Sequence, residues 1–238
     1  MPVDPTGTME AVTAQPARPH PDPADPTTVL LIDLDGTVTD SFPGITTSFR
    51  HAVAALGAPE PSEAFLADVV GPPLLDSMHA FGFSDEDAVR GVAAYRERYD
   101  VVGWLENSVF DGMDVLLADL AAQGRTLAIA TSKNEEVAQR ILEHFGLTDH
   151  FAVIAGSSAD GTRRSKAQVI ARAIEGLGLD PEVTPTVMIG DRSHDVDGAA
   201  SFGLPTIAVG WGYARPGEVD EATWTVRTVP QLREVLGV

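Results

Sequence analysis

Two hydrophobic patterns alternate along most of the chain. Val29 to Ile32, Leu127 to Ala130, Phe151 to Ala155, Thr186 to Ile189 and Pro205 to Val209 are short apolar runs. At four or five residues they are too short for buried helices and read as strands covered on both faces. Between them, apolar residues recur at helical spacing. They do so over Val115, Leu116, Leu117 and Leu120, over Asn134 to Phe145 up to Gly146, over Ser165 to Leu177, and on to Phe202 before Gly203. A glycine just past the last apolar position is a helix stop. Strand and helix in alternation predict an α/β fold: a doubly wound, mostly parallel sheet with a Rossmann-like core. Right-handed crossovers would bring its strand ends to one edge.

One interval breaks the alternation. From Ile45 to about Tyr99 only the helical period appears: Ile45 to Leu56, Glu63 to Val70 capped by Ser62, Leu74 to Phe81, and a last helix from Ser84, with Asp87 completing its capping box. Four helices without a strand predict a helical cap at 44–110, inserted in a core made of 27–43 and 111–238. Asp40 to Gly44 and Phe110 to Gly112 would be its glycine-containing hinges. Residues 1–26, rich in Pro, Thr, Asp and Ala without periodicity, predict a disordered tail whose removal through Asp25 leaves stability unchanged.

Composition narrows the function. The 35 acidic residues against 16 basic give a net charge of −19, which offers no electrostatic footprint for nucleic acid or an anionic membrane. With no cysteine, thiolate metal sites and cysteine nucleophiles are excluded. No apolar stretch approaches a membrane span, and the N-terminus lacks a secretory pattern, so a cytoplasmic protein, monomeric or homodimeric, is expected.

The candidate chemistry sits at the strand ends. The first strand runs into Asp33-Leu34-Asp35-Gly36-Thr37; alternation points both carboxylates one way, and their repulsion calls for a cation between them. Two more acids, Asp191 and Asp195, follow the strand at Thr186, four apart at a strand-to-helix turn. Four carboxylates in one crevice are tolerable if a divalent ion and a lysine share it. Oxygen ligands without His or Cys favour Mg²⁺ over Zn²⁺. Asp33-x-Asp35-Gly-Thr, Thr131-Ser132, Lys166 and Gly190-Asp191-x-x-x-Asp195 resemble, in order and spacing, the four motifs of the haloacid dehalogenase-like superfamily. From Thr28 onward the chain is most similar to its phosphoglycolate phosphatase-like branch with a helical cap.

That resemblance implies a Mg²⁺-dependent phosphatase acting on a small phosphorylated metabolite. It assigns Asp33 as the nucleophile that forms an aspartyl-phosphate and Asp35 as acid and base. It places Mg²⁺ on Asp33, on the backbone carbonyl of Asp35, and on Asp191 and Asp195. The Thr131 hydroxyl, the Ser132 N–H and Lys166 would hold the phosphate oxygens. Asp35 argues against a dehalogenase, because a departing halide needs no proton. A β-phosphoglucomutase-like phosphotransferase is the alternative, with a non-catalytic phosphate-binding module as one of another class. Lys133 and Arg192 read as extra cations beside the site, Trp211-Gly212-Tyr213 as packing for the last strand's loop, and Arg50, Arg96 and Arg98 as solvated cap residues.

Overall fold

The computed structural model describes residues 20–238. In chain order its elements are β1 (Val29–Ile32), β2 (Thr39–Asp40), α1 (Phe42–Ala55), α2 (Glu63–Leu66), α3 (Leu74–Phe81), α4 (Asp85–Tyr99), β3 (Ser108–Val109), α5 (Met113–Ala122), β4 (Leu127–Asn134), α6 (Glu135–His144), β5 (Val153–Ser157), α7 (Lys166–Leu177), β6 (Thr186–Gly190), α8 (Ser193–Ala200), β7 (Thr206–Val209), β8 (Trp224–Val226) and α9 (Val229–Leu236).

Six strands form one sheet in the order β5-β4-β1-β6-β7-β8, and every neighbouring pair is parallel. The doubly wound α/β expectation holds. Alternation along the strands divides the core in two. Leu30 and Ile32 of β1 join Val187 and Ile189 of β6 under α5, α6 and α9, while Val29, Leu31 and Met188 face α7 and α8. A fully enclosed β1 therefore stabilises both layers, each buried leucine contributing about 2 kcal/mol. β1, β4 and β6 are adjacent, so the segments carrying Asp33, Thr131 and Asp191 emerge side by side at the strands' C-terminal edge, where open α/β sheets place ligands.

Helices α1 to α4 pack around a cluster of their own. From buried Phe49 a chain of rings runs through Phe65, Phe81 and Phe83 with successive centroids 5.1 to 5.6 Å apart, the spacing at which offset aromatic pairs attract. The helix expected from Ile45 begins at Phe42, with a proline in its first turn. Gly44 is thus inside α1 rather than in a hinge loop. A Cβ there would lie 2.0 Å from the Gly103 carbonyl oxygen, so it serves close packing. The helix expected to reach Val70 stops at Leu66. Short β2 and β3 pair antiparallel, Thr39 with Val109 and Asp40 with Ser108, tying together the two connections to the helical region.

Most of the expected disordered tail lies outside the described residues. Its last part is ordered, which corrects that expectation for residues 20–25. The Pro23 carbonyl accepts a 2.8 Å bond from Arg125, the Asp22 carbonyl accepts one of 2.7 Å from the Thr28 hydroxyl, and His20 meets Trp224 edge to face. Arg125 is buried and also bonds the Leu236 carbonyl, so one guanidinium ties this segment to the end of α9. Among the described residues, no helix is long and apolar enough to cross a membrane.

Candidate active site

Asp33 follows β1 directly and is 6% exposed. Its Oδ1 accepts from the Leu34 N–H at 2.8 Å and pairs with the Lys166 Nζ at 2.9 Å; Oδ2 has no hydrogen-bond partner among the described residues. Lys166 begins α7 behind a complete capping box at Ser165. Its Nζ also meets Asp195 Oδ1 at 2.7 Å and donates to the Ala130 carbonyl at 2.9 Å. Burial alone would lower the Lys166 pKa, but Asp195 and Asp33 outweigh it and the pKa is raised, so this buried lysine is an ammonium.

Asp33, Asp191 and Asp195 each present a carboxylate oxygen within 4.8 Å of the other two. All three are buried, and Lys166 bonds two of them. Burial pushes the Asp33 pKa up to about 6, with the Asp195 charge adding to it and Lys166 opposing. Burial likewise raises Asp191 well above the usual carboxylate range, reinforced by Asp195 and Asp33. Carboxylates crowded this way lack positive charge, and an oxygen-only donor set suits a hard divalent cation. The residues fit the expected ion.

The Asp35 carboxylate is not in that group of three. Its Oδ2 is bound to the Lys133 Nζ at 2.6 Å, and its Oδ1 is buried without a hydrogen-bond partner. Alternation therefore does not bring the Asp33 and Asp35 side chains to one ion. Lys133, read from sequence as a peripheral cation, is held between this acid and the ring of Tyr99 in α4, with Nζ 5.1 Å from the ring centroid. Tyr99 in turn stacks on Tyr95 at 5.1 Å. Burial opposes the Lys133 charge, but Asp35 and Tyr99 overcome it and raise its pKa. The legible signal was position, one residue beyond Thr131-Ser132 at the end of a buried strand; its partners are far off in sequence.

Asp191 and Asp195 are fixed by backbone. The Arg192 N–H donates to Asp195 Oδ2 at 3.0 Å, and the Tyr213 N–H donates to Asp191 Oδ2 at 2.7 Å. The 211–213 loop does more than pack a strand end. Trp211 donates from its indole to the Thr37 carbonyl at 3.1 Å. The Tyr213 hydroxyl donates to Asp40 at 2.8 Å and accepts from the Ser41 N–H at 3.0 Å. Gly36, at φ +82°, abuts the other side of Asp191, where a Cβ would lie 2.3 Å from Oδ2. Arg192 is buried and bonds Glu218 and the Val70 carbonyl, so it joins the core to the helical region rather than facing substrate.

Thr131 is 1% exposed, and its hydroxyl accepts from the Lys133 N–H at 3.2 Å. Asp33, Asp35, Thr131, Ser132 and Lys133 line a crevice of about 850 Å³ beneath the helical region. Lys166 and Ser132 also border a neighbouring cavity of about 570 Å³. Every sequence-predicted site residue thus falls on one edge of the sheet, with Asp35 set apart from the three clustered acids.

A family profile described as haloacid dehalogenase-like hydrolase matches residues 30–209. The chain belongs to that family. Tyrosine-protein kinase PtkA of Mycobacterium tuberculosis is 49% identical over 220 residues, covering 91% of this chain and 75% of the relative. A 5′-nucleotidase of Pseudomonas aeruginosa is 43% identical over 210 residues, 87% of this chain and 94% of the relative. A predicted phosphatase from Clostridium acetobutylicum superposes with a TM-score of 0.83 at 37% identity, covering 89% of this chain and 99% of that one. The solved structure of Mycobacterium tuberculosis PtkA superposes with a TM-score of 0.76 at 47% identity, covering 92% of this chain and 99% of that one. Within the family this chain is a phosphatase-type enzyme, a hydrolase of phosphate esters.

Proposed function

We propose that the protein is a cytoplasmic, Mg²⁺-dependent phosphatase that hydrolyses a small phosphomonoester through an aspartyl-phosphate on Asp33. The observation that carries the proposal is the buried group of Asp33, Asp191 and Asp195 with Lys166 bonded to two of its members. Bound Mg²⁺ would neutralise part of the phosphate charge and align the phosphoryl group for in-line attack. Asp191 suits direct ligation better than Asp195. Asp195 Oδ1 is ion-paired with Lys166 and Oδ2 accepts from the Arg192 N–H, whereas Asp191 Oδ1 has, among the described residues, no cation paired with it and only the Thr37 hydroxyl at 3.4 Å. The Asp35 backbone carbonyl remains the other proposed ligand.

Asp33 Oδ1 is tied down, which leaves Oδ2 to attack phosphorus as the bond to the ester oxygen breaks. Asp35, protonated, gives its proton to the departing oxygen. As carboxylate it then takes one from the water that attacks the phosphorus of the aspartyl-phosphate and releases phosphate from Asp33. The unpartnered Asp35 Oδ1 is a buried acceptor awaiting such a donor. Lys166, the Thr131 hydroxyl and the Ser132 N–H would hold the nonbridging oxygens, donors fixed before the reaction. α1 to α4 would cover the site and exclude water, with 44–110 as the cap.

The kinase name of one relative supports one further reading, delivery of the phosphoryl group to a tyrosine hydroxyl instead of water. The test is phosphate release from phosphomonoesters with Mg²⁺ and with chelator, beside a parallel incubation with ATP and a tyrosine peptide. Hydrolysis abolished reversibly by chelation is expected. Turnover undiminished in excess EDTA removes the metal, and peptide phosphorylation without ester hydrolysis favours the transfer reading.

A further inference from the structure

Helix α4 has two working faces. Ala88, Gly91, Tyr95 and Tyr99, spaced three and four apart, are buried against the cluster of α1 to α3. A second stripe at the same spacing, Val89, Val92, Ala93 and Arg96, lines the 850 Å³ crevice. Val89 is 62% exposed, an apolar side chain turned to the crevice rather than into the cap core. Leu74 and Leu75 at the start of α3 line the same space and, like Val92, also pack against the cluster of α1 to α4. Tyr99 lies over Lys133 at the catalytic floor, so at 1.5 Å per residue the stripe runs about 15 Å outward from the chemistry to Val89.

The crevice's cations bear on which ester it takes. Lys133 is occupied by Asp35, Arg164 by Asp76, and Arg140 lies 4.3 Å over the Trp104 ring. Outside the crevice, Arg50 and Arg98 of the helical region are paired with Glu63 and Glu106. Arg96 has no side-chain partner among the described residues and stands on the stripe between the floor and the valines. A carboxylate carried out past Arg96 to the valines and leucines would lose its hydration without a compensating bond. A two-carbon phosphate would also leave most of so large a space to water, whereas well-filled ligand sites bury most of the ligand.

We propose that this stripe is the leaving-group surface of the enzyme, and that the preferred substrates are monophosphate esters of bulky, apolar or aromatic alcohols rather than short carboxylate-bearing phosphates such as phosphoglycolate. Val89, Val92 and Ala93 pack the organic body, and Arg96 takes polar atoms close to the phosphoryl group. The inference rests on the phosphatase reading above and narrows it.

The experiment compares kcat/KM with Mg²⁺ for ethyl phosphate and 4-phenylbutyl phosphate, whose alcohols are of similar acidity, and for phosphoglycolate. The wild-type ratio of phenylbutyl to ethyl ester should be at least tenfold, the selectivity a modest apolar contact provides, and phosphoglycolate should fall below the phenylbutyl ester. Val89→Asp and Val92→Asp should bring the ratio to within about threefold of unity, chiefly through KM, while Val89→Leu keeps it. Val89 is largely exposed, so its replacement takes nothing from the core; should a variant fail to fold, the wild-type ratio decides. A wild-type ratio near one, phosphoglycolate as the best of the three, or equal loss on all esters in the variants overturns this inference and leaves the phosphatase standing. No hydrolysis of any of the three overturns both.

Discussion

Asp35 and Lys133 depend on each other. Their side chains are 12% and 7% exposed and meet at 2.6 Å, so removing one leaves the other without its counter-charge in a largely desolvated place. Lys133→Met should therefore destabilise the protein by about 3–5 kcal/mol, the usual consequence of breaking a buried pair. Adding Asp35→Asn to that variant should recover part of the loss, as a double-mutant cycle in urea would show. Additive losses would mean the pair is not coupled. The clustered acids predict a different response to pH. Asp33 is raised to about 6 and Asp191 is raised by the same burial. Without metal, the Asp33 contribution to stability is complete below the unfolded carboxylate pKa, about 3.9, and is lost as pH rises through about 6, and Asp191 acts in the same direction. Mg²⁺ should offset that loss, so the rise in Tm on adding it should be larger at pH 7.5 than at pH 5. A rise independent of pH would separate the ion from these groups.

At the scale of elements, the 211–213 loop and the turn after β1 hold Asp191 between two glycines. A Cβ at Gly212 would lie 2.4 Å from the Asp191 Cβ, its Oδ2 and the Gly36 carbonyl oxygen. Gly212→Ala should thus displace Asp191 and raise the Mg²⁺ needed for half-maximal activity by about 10–100-fold, the scale seen when support for a metal ligand is lost. An unchanged Mg²⁺ requirement would show that Asp191 is not a ligand. The strands carrying the acids were legible because β1 and β6 are buried on both faces, which writes them as plain apolar runs ending in polar clusters. Short β8 and the β2–β3 pair were not, since three residues or fewer have no period to read. Nor were the roles of Lys133, Tyr213 and Arg192, whose partners lie 98, 173 and 122 positions away; such contacts follow from topology, not from local pattern.

For the molecule as a whole, the ends of the described chain meet at Arg125. This buried guanidinium bonds the Pro23 and Thr28 carbonyls on one side and that of Leu236 on the other. Deletion through Asp25 removes buried Pro23 with the carbonyl that accepts from Arg125, and the Asp22 carbonyl that accepts from Thr28, so it should cost about 1–3 kcal/mol. For a chain of this size that is a fall in Tm of about 2–4 °C per kcal/mol. Scanning calorimetry of the truncated protein checks this, and an unchanged Tm would show that the contact contributes nothing. The two-layer core, the helical cap cluster and the acid-lined edge between them all serve one claim, that Asp33 accepts the phosphoryl group and Asp35 moves the protons. The measurement that tests it most directly is rapid mixing of Asp35→Asn with p-nitrophenyl phosphate and Mg²⁺, followed by mass spectrometry. Nitrophenolate needs little help to leave, while hydrolysis of the acyl phosphate still needs a base. The account predicts a burst of at most one equivalent, slow turnover after it, and phosphate retained on Asp33. Steady-state turnover at the wild-type rate, or phosphate on another residue, would contradict it.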